Sequence, residues 1–196
     1  MKHLLRQCSK LLLAQCELEL TTMKKVLLFV ENGFEDRELM YPYYRFQEAG
    51  YKVDVVGPEA KVTYNGEHGL TMKSDFSPQN INIDDYVAII IPGGRAPDRM
   101  RTNKGLVNLA KEASQKGKVI ATICHGPQLL IEAGVVKGKN ATCYVSVSTD
   151  LKNAGGNYLD KSVVVDGNLV TSRFPADLPN FCRETLKLLE KRSAPA

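Results

Sequence analysis

The chain has 196 residues, 43% hydrophobic and 24% charged, and its 26 basic against 22 acidic side chains leave a formal net charge of +4. That length suits one domain with a large core rather than two. The absence of any basic run or basic–aromatic interleaving speaks against a nucleic-acid partner, and no apolar stretch approaches the roughly 20 residues of a membrane span. Five cysteines, an odd number without pairing rhythm, fit a reducing, cytoplasmic setting better than a disulfide framework.

Residues 1–22 stand apart, because Met23-Lys-Lys-Val is a natural start directly before the first strand. Lys2, Arg6 and the run Leu11–Ala14 faintly resemble a signal peptide, but the apolar part is short and gives way to Gln15-Cys16-Glu17. The expectation is an N-terminal extension over 1–22, outside a domain spanning 23–196.

In chain order, Lys25–Val30 (KVLLFV) is an apolar run of strand length without alternation, as in a parallel sheet covered on both faces. Glu31–Glu38 makes a turn and a helix start, and Leu39, Tyr43, Phe46 and Ala49 follow at helical spacing up to Gly50. Pro42 is expected near the beginning of that helix or at a kink. Lys52–Gly57 is the next strand, and 62–72, broken at Asn65-Gly66, an exposed hairpin. Tyr86–Ile91 (YVAIII) is a second doubly buried strand opening into the glycine loop Pro92–Asp98. Asn103–Lys116 carries an amphipathic stripe capped at Gly117. Beyond the strand ending at Cys124 come a helix over Gln128–Gly134, a helical Ser146–Asn153, a hairpin over Val163–Thr171 and a closing helix from Pro175 to Lys191.

Alternating buried strands and helices predict a single α/β domain, a flavodoxin-like doubly wound parallel sheet sandwiched between helices. Sites in such sheets lie at the carboxyl ends of strands. Glu31–Glu38, Pro92–Asp98 and Cys124-His125 are therefore expected to converge.

The chemistry centres on Lys118–Pro127 (KVIATICHGP), where a β-branched strand delivers a thiol to its tip and Gly126-Pro127 opens a helix. Strand, turn and helix with a reactive residue at the turn is the nucleophile-elbow pattern; a buried structural cysteine is the plainer alternative. A helix N-terminus and a nearby histidine lower a thiol pKa. The backbone N–H groups of Gly94 and His125 can form an oxyanion hole, with Gly93 and Gly94 permitting close approach.

The chain has three histidines, and of His3, His68 and His125 only the last is placed for catalysis. A glutamine amidotransferase is not expected, since it would need a histidine followed by a carboxylate late in the chain and no histidine follows residue 125. No Walker loop, no GxGxxG after the first strand and no zinc-spaced Cys/His set occurs, so no cofactor and no metal are expected. Glu35 is the candidate acid: beside a thiolate it must be protonated and donate, because two anions would repel. Asp36 or Glu38 pointing inward, with Glu35 as a mere cap, is the alternative. Adjacent residues on a tight turn tend to diverge, which leaves open whether His125 serves Cys124. Cys143 and Cys182 fall in predicted elements and are expected in the core.

Phe34-Glu-Asp-Arg-Glu-Leu39, Tyr41-Pro-Tyr43, Pro92-Gly-Gly-Arg-Ala-Pro97, Ile123-Cys-His-Gly-Pro-Gln128 and Ser172-Arg-Phe-Pro-Ala-Asp177 together resemble the PfpI intracellular cysteine peptidases, relatives of the protein deglycases and glutathione-independent glyoxalases. The resemblance spans about Lys25–Leu189. It implies Cys124 as nucleophile, His125 as base, Glu35 in contact with the thiol and oxyanion donors around Gly94 and His125. It also implies a third acid from a neighbouring subunit at Asp98, where glutamate is usual, and hence a homodimer or a hexamer of dimers. Three functions follow: a thiol hydrolase on peptides, a cofactor-free enzyme adding Cys124 to dicarbonyls such as methylglyoxal or their protein adducts, and a non-enzymatic redox sensor or holdase. The shorter Asp98 favours small-carbonyl chemistry, for which an orienting acid is not essential.

Overall fold

The computed structural model describes residues 23–193, so the expectation for residues 1–22 lies outside the described residues. Ten strands and six α-helices follow in order. The strands that build the main sheet are β1 (Lys25–Phe29), β2 (Lys52–Val56), β5 (Tyr86–Ile91), β6 (Val119–Ile123), β9 (Val163–Asp166) and β10 (Leu169–Ser172). They form one six-stranded sheet in the order β2-β1-β5-β6-β10-β9. All neighbours run parallel except β9, which returns antiparallel on β10 as the predicted hairpin.

The unbroken apolar runs are explained by burial on both faces: Leu27, Leu28, Ile89, Ile90 and Ile120 are all fully shielded. Helices α1 (Asp36–Glu48) and α6 (Leu178–Ser193) pack on each other and on the sheet, α6 against β6 and β10. Helix α3 (Lys104–Gln115) covers β5 and β6 and packs on α4 (Pro127–Glu132), which in turn meets α2 (Ala96–Met100) and α5 (Ser148–Asn153). The predicted α/β sandwich is thus the observed architecture.

The chain leaves β1 outward to β2 and returns to β5 on the other side, so strand order reverses between β1 and β5. The crevice outside their carboxyl ends is where such sheets hold ligands. Two short ladders flank the sheet. One is the hairpin β3 (Thr63–Asn65) with β4 (Thr71–Lys73), as expected; the other pairs β7 (Asn140–Ala141) with β8 (Asn157–Tyr158), too short for a sequence signal.

Local expectations needed three adjustments. Pro42 lies inside α1 rather than near its beginning, and it leaves the carbonyl of Glu38 without a helical N–H donor. The segment opening at Ser146 is a 3₁₀ turn, Val145–Val147, before α5. Likewise Pro175–Asp177 is a 3₁₀ turn preceding α6. Cys143 and Cys182 are buried, as expected for core cysteines.

Candidate active site

Cys124 closes β6 with φ at 62°, a left-handed conformation that a side-chain-bearing residue adopts only under strain. Its N–H donates to the Ser172 carbonyl at 3.1 Å and its carbonyl accepts the Tyr144 N–H at 2.9 Å, so the turn is tied on both sides. Gly126 is required two residues later: a Cβ there would collide with Thr122 Oγ1 and stand 2.8 Å from the carbonyls of Ile123 and Ile91. This is the strand-turn-helix geometry expected of the segment, with Cys124 at the turn.

The three predicted segments do converge. Arg95 donates its N–H to the Gly33 carbonyl at 2.7 Å and Glu35 donates to the Gly93 carbonyl at 3.2 Å, knitting the loop after β1 to the loop after β5. A Cβ on Gly93 would sit 2.5 Å from both Cys124 Cβ and Glu38 Oε2, so glycine is what lets the three approach.

Helix α1 corrects the choice of acid. Glu35 is its N-cap: Oε2 accepts the Glu38 N–H at 2.9 Å, and Oε1 pairs with the Arg37 guanidinium at 2.6 Å. Glu38 is the residue that faces the thiol. It is fully shielded from solvent, Oε2 accepts the Gly93 N–H at 2.9 Å, and Oε1 has no nitrogen or oxygen partner among the described residues. Helical phase was the available signal, since Glu38 falls four and eight residues before the inward-facing Pro42 and Phe46.

Burial, and then the charge of Glu35, pushes the Glu38 carboxyl up to about 8, against the Gly93 N–H and a hydrogen bond to Cys124. The thiol is raised as well, by burial and by a Glu38 anion beside it, while the N–H groups of Gly94 and His125 pull it down. That departs from a simply depressed thiol. Burial favours the protonated form of both groups, and the charge of either opposes the ionisation of the other. With Glu38 protonated, its charge no longer opposes the thiolate, and both N–H donors of the expected oxyanion hole favour sulfur.

His125 does not diverge from its neighbour: Nδ1 lies 3.3 Å from Cys124 Sγ. Its Nε2 is 3.2 Å from Ser146 Oγ and its ring stacks on Tyr144 at 5.1 Å between centroids. Burial holds the imidazole below its ordinary pKa, with Glu67 opposing.

A pocket of about 590 Å³ rises above these groups. Asp98 stands exposed on its wall, without a hydrogen bond or ion pair among the described residues. His68 also lines the pocket, although the sequence placed it in a remote hairpin. The cause is Asp36, buried one residue beyond the cap, whose carboxylate accepts the N–H groups of His68 at 2.9 Å and Leu70 at 2.8 Å and clamps the loop between β3 and β4 onto the site. On the opposite rim, Arg173 grips Asp177 through Nε at 2.9 Å and Asp160 through Nη1 at 2.8 Å, presenting Phe174 and Pro175. Among the described residues no set of three or more His, Cys, Asp or Glu side chains is arranged to hold a metal.

Residues 24–188 match the DJ-1/PfpI family. This chain belongs to that family. It is 46% identical over 166 residues to "Deglycase PfpI" of Pyrococcus furiosus, covering 85% of this chain and 99% of the relative. The "Putative cysteine protease YraA" of Bacillus subtilis is 42% identical over 167 residues, 85% of this chain and 99% of that one. Among solved structures, a two-domain protein of Anabaena variabilis with DJ-1/ThiJ/PfpI-like and ferritin-like domains aligns with a TM-score of 0.84 at 42% identity; the match covers 85% of this chain and 48% of that one. Drosophila melanogaster DJ-1beta aligns with a TM-score of 0.79 at 30% identity, covering 87% and 90% of the two chains. No helix among the described residues is long and apolar enough to cross a membrane.

Proposed function

We propose that this DJ-1/PfpI protein is a cofactor-free, cysteine-dependent enzyme that acts on methylglyoxal-type dicarbonyls or their early protein adducts. The observation that carries the reading is the surround of Cys124 Sγ. A strained elbow presents it at the floor of a small pocket, with a buried carboxyl, an imidazole and two backbone N–H donors converging on it.

The steps balance without an oxidant. The thiolate adds to the aldehyde carbon of methylglyoxal and forms a C–S bond, while the oxygen takes the negative charge beside the N–H groups of Gly94 and His125 and is then protonated. His125 Nδ1 removes the hydrogen of that carbon as a proton, which is returned at the adjacent ketone carbon. The product is a lactoyl thioester. Water adds to it, the C–S bond breaks, lactate and a proton leave, and the Cys124 thiol is restored, for a net uptake of one water. Protonated Glu38 holds the thiolate by donation before it adds to the aldehyde. The name of the Pyrococcus furiosus relative, a deglycase, agrees with carbonyl chemistry at this site.

A peptide substrate is the second reading, and one feature favours it. An apolar groove of about 830 Å³, formed by Met40, Tyr41, Tyr44 and Leu178, adjoins the pocket through Arg37 and Pro175 and offers an extended chain a surface. Exposed Asp98 remains open to the His125 of a second copy in the homodimer that the resemblance implies.

The test compares wild type with Cys124→Ala on methylglyoxal-to-lactate conversion and on a fluorogenic peptide, after trace proteases are removed. Lactate formation by wild type alone is the expected result. Cys124-dependent peptide cleavage without lactate would favour the peptidase, and no turnover of either would leave the redox-sensor reading.

A further inference from the structure

The turn after β7 makes two contacts with the candidate base and one with the cysteine beside it. Tyr144 stacks on the His125 ring at 5.1 Å and an interplanar angle of 27°, Ser146 Oγ meets Nε2 at 3.2 Å, and the Tyr144 N–H is tied to the carbonyl of Cys124 at 2.9 Å. Val147, 1% exposed, anchors the same 3₁₀ turn in the core. The segment that holds the ring is therefore built onto the nucleophile's own residue, and it leaves Nδ1 aimed at Sγ.

We propose that Ser146 is a positioning residue for His125, supplied in cis, which holds the ring on Cys124 in either tautomer. The inference rests on the reading that His125 exchanges protons at Cys124 during turnover.

The chemistry of the partner decides this. An imidazole that takes a proton at Nδ1 must hold, or come to hold, a proton at Nε2, and that N–H needs an acceptor. A carboxylate would supply one and also stabilise the imidazolium, raising the pKa of the ring. A hydroxyl accepts from Nε2–H, yet it can also donate to a bare Nε2 when the proton sits at Nδ1. Ser146 thus satisfies either tautomer without the ring moving, and adds no charge. This fits an imidazole held below its ordinary basicity, with Glu67 the acid that opposes the shift. It also accounts for a site in which Asp98, on the same pocket wall, has no contact with the ring within the chain.

Ser146 is solvent-exposed, so water competes and the effect is that of one modest hydrogen bond. Ser146→Ala is expected to lower kcat about fivefold with KM little changed, and Ser146→Thr to restore it. Ser146→Asp is expected to shift the acid limb of the pH profile upward. The deciding measurement is the ring nitrogen NMR of His125 against pH in wild type and the three variants, tractable because the chain has only three histidines. The expected result is an altered tautomer balance in Ser146→Ala, wild-type behaviour in Ser146→Thr and a raised imidazolium pKa in Ser146→Asp. Identical nitrogen shifts and titration in all four proteins would overturn the proposal. Turnover that survived Cys124→Ala would instead remove the reading beneath it, while the nitrogen spectra would still judge Ser146.

Discussion

The acid beside the thiol is where residue-level physics does most to decide the chemistry. The carboxyl is pushed up to about 8 and the thiol is pushed up as well, so each ionisation opposes the other, and the chemistry turns on which of the two is charged when the thiol reacts. The sign of a substitution separates the two possibilities. If Glu38 is protonated when the thiolate forms, Glu38→Ala removes a donor and raises the apparent thiol pKa, measured by the pH dependence of Cys124 alkylation. Glu38→Gln keeps a neutral donor and is expected to stay within about half a unit of wild type. A fall in both variants would mean that Glu38 is an anion beside the thiolate. Glu35→Gln is expected to act only indirectly, through its cap on the Glu38 N–H and its charge near that carboxyl.

At the scale of elements, the site depends on loops held by buried polar groups that no strand or helix period reveals. Sheet and helices were legible in the sequence because runs such as KVLLFV and YVAIII report burial on two faces, and Gly-Pro after Cys124 reports a turn into a helix. The convergence of Glu38, Gly93 and Cys124 then follows from the carboxyl-end rule. The phase of α1 picks Glu38 out of the three acids of its first turn only once Pro42 and Phe46 are known to face inward, and the reach of the hairpin loop is not legible at all. The position of His68 is set by two hydrogen bonds to Asp36, more than thirty residues away in sequence. Asp36→Ala is expected to cost about 2 kcal/mol or more in denaturant unfolding, since two N–H groups lose a charged acceptor. Hydrogen exchange at His68 and Leu70 should accelerate, and KM should rise more than kcat falls. Unchanged exchange at both amides would show that the clamp does not hold the loop.

For the whole molecule, the buried acid links folding to pH. The Glu38 pKa is raised above its unfolded value, from 4.5 to about 8, so the stabilisation of its protonated form is complete below 4.5 and is lost as pH rises through 8. A displacement of that size bounds the effect at about 5 kcal/mol. The measurable quantity is the difference between Glu38→Gln and wild type in urea unfolding, which cancels other titrating groups, including His125. Glu38→Gln is expected to gain relative stability steadily between pH 5 and 8, and a constant difference would show that Glu38 is not buried as a strained acid.

The central claim is a covalent bond between Cys124 Sγ and a carbonyl carbon. It is tested most directly by quenching the protein during turnover of methylglyoxal and mapping the adduct by peptide mass spectrometry. One methylglyoxal-derived acyl or hemithioacetal group on Cys124, absent from Cys124→Ala, is the expected result. Lactate formation with Cys124 unmodified, or undiminished in Cys124→Ala, would contradict it.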